Sequence, residues 1–128
     1  MNETKINPWV IQPPKQNVII PIGSYEAQFE NVSEQSLSDG SIKWRWSWRI
    51  TSGAFTGKEA TALTEQTINA NTHAGRLVAG LLGRSLVDGE NVKASIDACV
   101  GENYLIKIEL GPQGGKAAVR VVQPLPNM

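Results

Sequence analysis

Ile42-Lys43-Trp44-Arg45-Trp46-Ser47-Trp48-Arg49-Ile50 alternates without a break. Ile42, Trp44, Trp46, Trp48 and Ile50 fall on one face; Lys43, Arg45, Ser47 and Arg49, followed by Thr51, fall on the other. A period of two sustained over this length is a strand with one face in a core and one in water. Upstream, Tyr25, Ala27 and Phe29 alternate with Glu26, Gln28 and Glu30, which predicts a second strand. Residues 36–41, with Asp39-Gly40 among them, are a turn signal. The two strands therefore read as one long hairpin.

Downstream, Gly53 and Gly57 bracket a short turn, and the threonine-rich residues 58–66 predict a third strand of weak alternation. Ala74, Leu77, Val78, Leu81 and Leu82 then recur at helical spacing and form one apolar stripe. Asn69 or Asn71 is the expected cap of this helix and Gly83 its stop. Gly75 and Gly80 lower its intrinsic stability, so packing must hold it, with close approach to a neighbour. A short helical piece at 92–99 ends at Gly101. Tyr104, Ile106, Ile108 and Leu110 mark a fourth strand, and residues 117–122 a fifth.

Three strands, a helix and two strands predict a mainly β chain, a five-stranded OB-type Greek-key barrel with its helix between the third and fourth strands. Residues 23–123 make this domain. Residues 1–22, with Pro8, Pro13, Pro14 and Pro21, form an extended N-terminal arm, and residues 124–128 a short tail.

The 128 residues suit one core, and an apolar fraction of 41% is globular. Twelve basic and twelve acidic residues cancel, which argues against a general coating of polyanions but permits a local basic patch. Cys99 is the single cysteine, so an intramolecular disulfide is excluded and a reduced, cytoplasmic setting is expected. No apolar run approaches a membrane span, and residues 1–7 have no signal-like apolar stretch.

Catalysis finds no support. His73, the one histidine, opens the predicted helix and reads as a capping or surface residue. Cys99 reads as a small buried residue, no Cys/His spacing suggests zinc, and Gly111-Pro112-Gln113-Gly114-Gly115 lacks the following Lys-Ser/Thr pair and the helix of a phosphate loop. No cofactor is implied.

The informative segment is 41–58, which holds Lys43, Arg45, Arg49 and Lys58 and no acid. The strand and turn before it carry Glu26, Glu30, Glu34 and Asp39 and no base. The charge is thus sorted along the chain, and a basic row on the second strand of an OB barrel would track phosphates. A wet strand face kept basic for solubility is the competing reading. Three bulky indoles crowd a small barrel, so Trp46 is expected in the core and Trp44 or Trp48 at a barrel mouth, where one would stack on a base. Lys107 and Arg120, on the late strands, would extend the groove, as would Arg76 and Arg84 on the helix.

The arrangement resembles a family of small phage-encoded proteins of replication and recombination modules, single-stranded-DNA-binding OB-folds. The likeness runs over about residues 22–123, through Ile22-Gly23-Ser24-Tyr25, the 42–50 strand, Thr51-Ser52-Gly53-Ala54-Phe55-Thr56-Gly57-Lys58, the helix end at 77–83, and Val100-Gly101. The resemblance implies a cofactor-free binding role and self-association, in a bacterial or phage-infected cell. The ending Gln123-Pro124-Leu125-Pro126-Asn127-Met128 has no acid, so recruitment of partners by an acidic tail is not expected.

Sequence-tolerant binding of single-stranded DNA is therefore the leading expectation, with RNA left open. An assembly module of a phage particle or replication complex is the alternative, its arm (Trp9, residues 18–20) exchanging between subunits to make a homodimer. A carbohydrate-binding barrel requires the tryptophans exposed in a row.

Overall fold

The computed structural model describes Trp9 and residues 20–111 and 115–125. Among these described residues five strands and two helices follow in the order β1 (Gly23–Ser36), β2 (Ile42–Ile50), β3 (Glu59–Thr64), α1 (His73–Leu82), α2 (Lys93–Ala98), β4 (Asn103–Gly111) and β5 (Gly115–Pro124). The strands form one antiparallel sheet in the order β3-β2-β1-β4-β5. The sheet curls until its edges, β3 and β5, approach one another, but no ladder joins them and it does not close into a barrel.

β1 is long enough to serve two partners. Its first part pairs with β4 and its later part with β2. The extra residue Glu30 bulges the β1–β2 ladder between Phe29 and Asn31, and a bulge of this kind bends and twists the strand that carries it. The predicted hairpin turn is present. Asp39 accepts from the amide and the hydroxyl of Ser41, at 2.9 and 2.6 Å, and these bonds hold its carboxyl below the usual range. β5 runs past the predicted boundary at 123: Pro124 pairs with Tyr104, and the Leu125 amide reaches the Asn103 carbonyl. Residues 1–8 and 10–19 of the arm lie outside the described residues.

The core lies between the inner face of the sheet and α1. Trp46 and Trp48 are both buried there, at 1% and 0% exposure, with Phe29, Ile50, Ile106 and Val119. The crowding expected of them does not arise. Trp46 faces Ala62 and Trp48 faces Ala60 across the β2–β3 ladder, and Trp48 also faces Phe29 across β1–β2. Small residues on β3 leave the volume that two indoles fill, as close packing requires. The Trp46 indole N–H donates to the Thr64 hydroxyl at 2.9 Å. Replacing Thr64 with Val would leave that buried donor unpaired, at a cost of about 1–3 kcal/mol. The expected result is a lower denaturant midpoint at unchanged slope; an unchanged midpoint would mean that the bond contributes nothing.

α1 matches the predicted stripe, with Ala74, Leu77, Val78 and Leu81 buried. Its cap is Thr72, not Asn69 or Asn71: the Thr72 hydroxyl accepts from the Gly75 amide at 3.0 Å. Asn69 shapes the loop before the helix instead, its side chain accepting from the Asn71 amide at 2.8 Å. Gly83 ends the helix in the left-handed conformation at φ 68°. At the same end, the Tyr104 hydroxyl donates to the Leu81 carbonyl at 2.9 Å, satisfying one of the helix's terminal acceptors. Cys99 is buried beside it, its thiol 3.3 Å from the Ser95 carbonyl.

Candidate nucleic-acid interface

The outer face of β2 carries the basic row. Alternation sends Trp46, Trp48 and Ile50 inward, so Lys43, Arg45 and Arg49 share the opposite face. Ser47, between the arginines, is 1% exposed because Arg45 folds over it, Nη1 donating to its hydroxyl at 3.1 Å. The cross-strand neighbours on β1 are Gln35, Ser33, Asn31 and Gln28, all short polar side chains.

Each cation of the row has a carboxylate. Lys43 pairs with Glu65, just beyond β3. Arg45 donates to Glu59 on β3 at 2.5 Å. Arg49 grips Glu30 with two bonds, Nε at 3.0 Å and Nη2 at 3.2 Å, and donates through Nη1 to the Gly57 carbonyl at 2.8 Å. The separation of charge along the chain is therefore undone in space. The acids missing from 41–58 arrive from β1 and from β3 and its end, and Glu30 does so as the bulge residue.

The other predicted residues are dispersed. Lys58 is exposed at the end of the β2–β3 loop, and no carboxylate pairs with it among the described residues. Lys107 lies on β4 and pairs with Glu109 at 3.5 Å. Arg84 closes the connection after α1 by a two-bond pair with Glu90. Trp48, expected at a barrel mouth, is wholly buried and has no face to offer a base. Trp44 is half-buried and meets Trp46 edge to face with ring centroids 6.0 Å apart. The three indoles of β2 thus do not form the exposed row that a sugar-binding barrel needs.

Trp44 lines a groove of about 630 Å³ between the β1–β2 hairpin and the loops flanking α1. Val32, Trp46, Ile68, Leu86, Val87 and Ile96 make its walls apolar, and Glu34, Asp88 and Glu90, with Lys93 as the one cation beside them, stand at its exposed rim. The acidic rim disfavours a phosphodiester strand there. Nothing in the sequence points to this groove, because its walls come from four separate stretches of the chain.

Arg120 occupies a different setting. β4 and β5 slip register between Lys107 and Ile108, which pair with Val121 and Val119, so Arg120 is the extra residue of a bulge. The bulge turns Val119 and Val122 both inward and leaves the Arg120 side chain over the start of α1. Its Nη1 lies 3.5 Å from His73 Nδ1, and its Nε is buried without a partner. His73 Nε2 is 2.8 Å from the Val119 carbonyl. A carbonyl only accepts, so Nε2 carries the proton and Nδ1 presents its lone pair to Arg120. Burial holds the His73 pKa below its ordinary 6.5, against the pull of the Val119 carbonyl, and the positive charges of Arg120 and Arg76 act in the same direction as burial.

That shift has a sign. The unfolded chain takes up a proton that the folded protein resists, so the stability linked to His73 is complete above pH 6.5 and is lost as the pH falls below it. Thermal melts from about pH 7 to about pH 5 should show a declining Tm, with a component absent from His73→Gln. An identical decline in that variant would remove His73 as its origin.

Among the described residues no group of three or more His, Cys, Asp or Glu side chains is placed to hold a metal ion, and no helix is long and apolar enough to cross a membrane. Compared with known proteins, the chain matches no family model, and no curated protein is significantly similar to it.

Proposed function

We propose that the chain is an OB-type module that binds single-stranded nucleic acid in the cytoplasm and catalyses nothing, of the kind encoded in phage replication and recombination modules. The strand order supports the fold. An OB barrel is five-stranded and partly open, and here β1 pairs with both β2 and β4, a helix lies between β3 and β4, and the sheet curls without a ladder between β3 and β5. The observation that carries the function is the row Lys43, Arg45 and Arg49 on the outer face of β2, flanked by the amides and hydroxyls of β1. That face is the usual oligonucleotide platform of the fold. Its contacts are with phosphates rather than bases, since the tryptophans of the same strand point the other way. Exposed ion pairs are weak and screened by salt, so phosphates can replace the carboxylates.

The test is a titration with oligo-dT of about thirty nucleotides at low and moderate salt, with oligo-U beside it. Three unpaired cations on the phosphates of a single strand would give a logarithmic salt slope of roughly −2, and the carboxylates that a strand must displace make the slope of this protein shallower than that. Binding with this shallower salt sensitivity and little tryptophan quenching is expected. No binding at low salt would overturn the reading.

The apolar groove favours a second reading, assembly through the N-terminal arm. Trp9-Val10-Ile11 and Val18-Ile19, separated by a segment containing Lys15, suit an apolar trough with an acidic rim. Removal of residues 1–19 should then lower the mass in solution; the same monomeric mass with and without the arm would reject this reading.

A further inference from the structure

Five arginines fall among the described residues, and their partners divide them. Arg45, Arg49 and Arg84 are each bound to a glutamate. Arg76 and Arg120 have no carboxylate partner among the described residues, and both act on His73. One stands a turn further along α1, exposed; the other is delivered by the β5 bulge, within 3.5 Å of the His73 ring. The first turn of α1 contains no acid.

Two guanidiniums without a carboxylate, beside a neutral imidazole, are an arrangement that folding alone does not favour. The like charges repel, and the buried Arg120 Nε lacks the acceptor that a buried donor ordinarily finds. An anion bridging Arg76 and Arg120 would relieve the repulsion and supply acceptors. Guanidinium forks suit the tetrahedral oxygens of phosphate. His73 adds a ring that stays neutral near pH 7 and becomes a second donor once an anion offsets the two positive charges.

We infer that Arg76, Arg120 and His73 form a binding site for a phosphate group, separate from the β2 row. Its ligand is either an internucleotide phosphate of a bound strand or a free phosphate ion; the first source rests on the reading proposed above, the second does not. The site takes its anion without displacing a carboxylate, which distinguishes it from Lys43, Arg45 and Arg49.

His73 is the only histidine, so its ring resonances report on the site without ambiguity. The full chain is titrated at about pH 7 with inorganic phosphate, with sodium chloride at matched ionic strength, and with oligo-dT. Phosphate should move the His73 ring signals saturably and chloride should not, and Arg76→Ala, an exposed change, should weaken the response several-fold. Arg120→Gln, with folding verified by its melt, should do the same. If oligo-dT binds and moves the same signals, the strand is a source of the phosphate. If phosphate moves them while oligo-dT does not bind at all, the site stands with free phosphate as its ligand and the single-strand reading falls. A ring unmoved by both phosphate and bound oligonucleotide, or moved equally by chloride, overturns the site.

Discussion

Gly80→Ala should destabilise the fold by about 3 kcal/mol or more, although alanine is the better helix former. Helix propensity alone favours the substitution by about 1 kcal/mol. Packing reverses the sign. A Cβ at Gly80 would stand 2.1 Å from the Val122 carbonyl oxygen and 2.8 Å from its carbon, both backbone atoms of β5. No rotamer change relieves contact with backbone, so α1 would have to lift from the strand. Leu77, Val78 and Leu81, now buried, would lose part of that burial. Gly75→Ala meets the same obstacle on the other side, with a Cβ 1.7 Å from the Asn69 carbonyl oxygen in the loop that leads into the helix. Each variant is expected to melt about 10–20 °C below the parent. Gly80→Ala melting at or above the parent temperature would show that α1 does not approach β5 this closely in solution.

These glycines also show which parts of the structure were legible in the sequence. A helix carrying two interior glycines announces a close neighbour, because glycine is a poor choice there for any other reason; which strand lay against it could not be read. The strands were legible where large and polar residues alternate, as in 42–50 and 104–110. β3 was legible as a strand at 58–66 but its inward face was not, because its inward residues Ala60, Ala62 and Thr64 are small and carry little hydrophobic contrast. That weakness was the missing half of the tryptophan question: Ala60 and Ala62 are small because Trp48 and Trp46 face them. The basic row was legible as a row, but its neutralisation was not. Glu30, Glu59 and Glu65 reach it through strand register and a bulge, neither of which local sequence encodes. The meeting of Arg120 with His73 was hidden for the same reason. A one-residue slip in β5 decides which way Arg120 points.

The paired row also determines how binding should respond to charge. If Lys43, Arg45 and Arg49 hold phosphates, a bound strand must first displace Glu65, Glu59 and Glu30, and these carboxylates limit the affinity. Changing the three glutamates together to glutamine keeps their size and moves the net charge from zero to plus three. Affinity for oligo-dT should rise about tenfold or more at low salt. The salt slope should steepen towards roughly −2, because three unpaired cations then release counterions on binding. The gain should vanish at high salt, where screening removes the difference. Raising the net charge at a distance serves as the control. Asp88→Asn, Asp97→Asn and Glu102→Gln add the same charge away from β2, so a comparable gain there would point to a general attraction with no particular face. Charge reversal completes the set: Lys43, Arg45 and Arg49 changed to glutamate should bind at least a hundredfold more weakly while melting as a folded protein. If the glutamine variant binds no better than the parent and the reversed variant no worse, the outer face of β2 is a solvated surface and not the path of the strand.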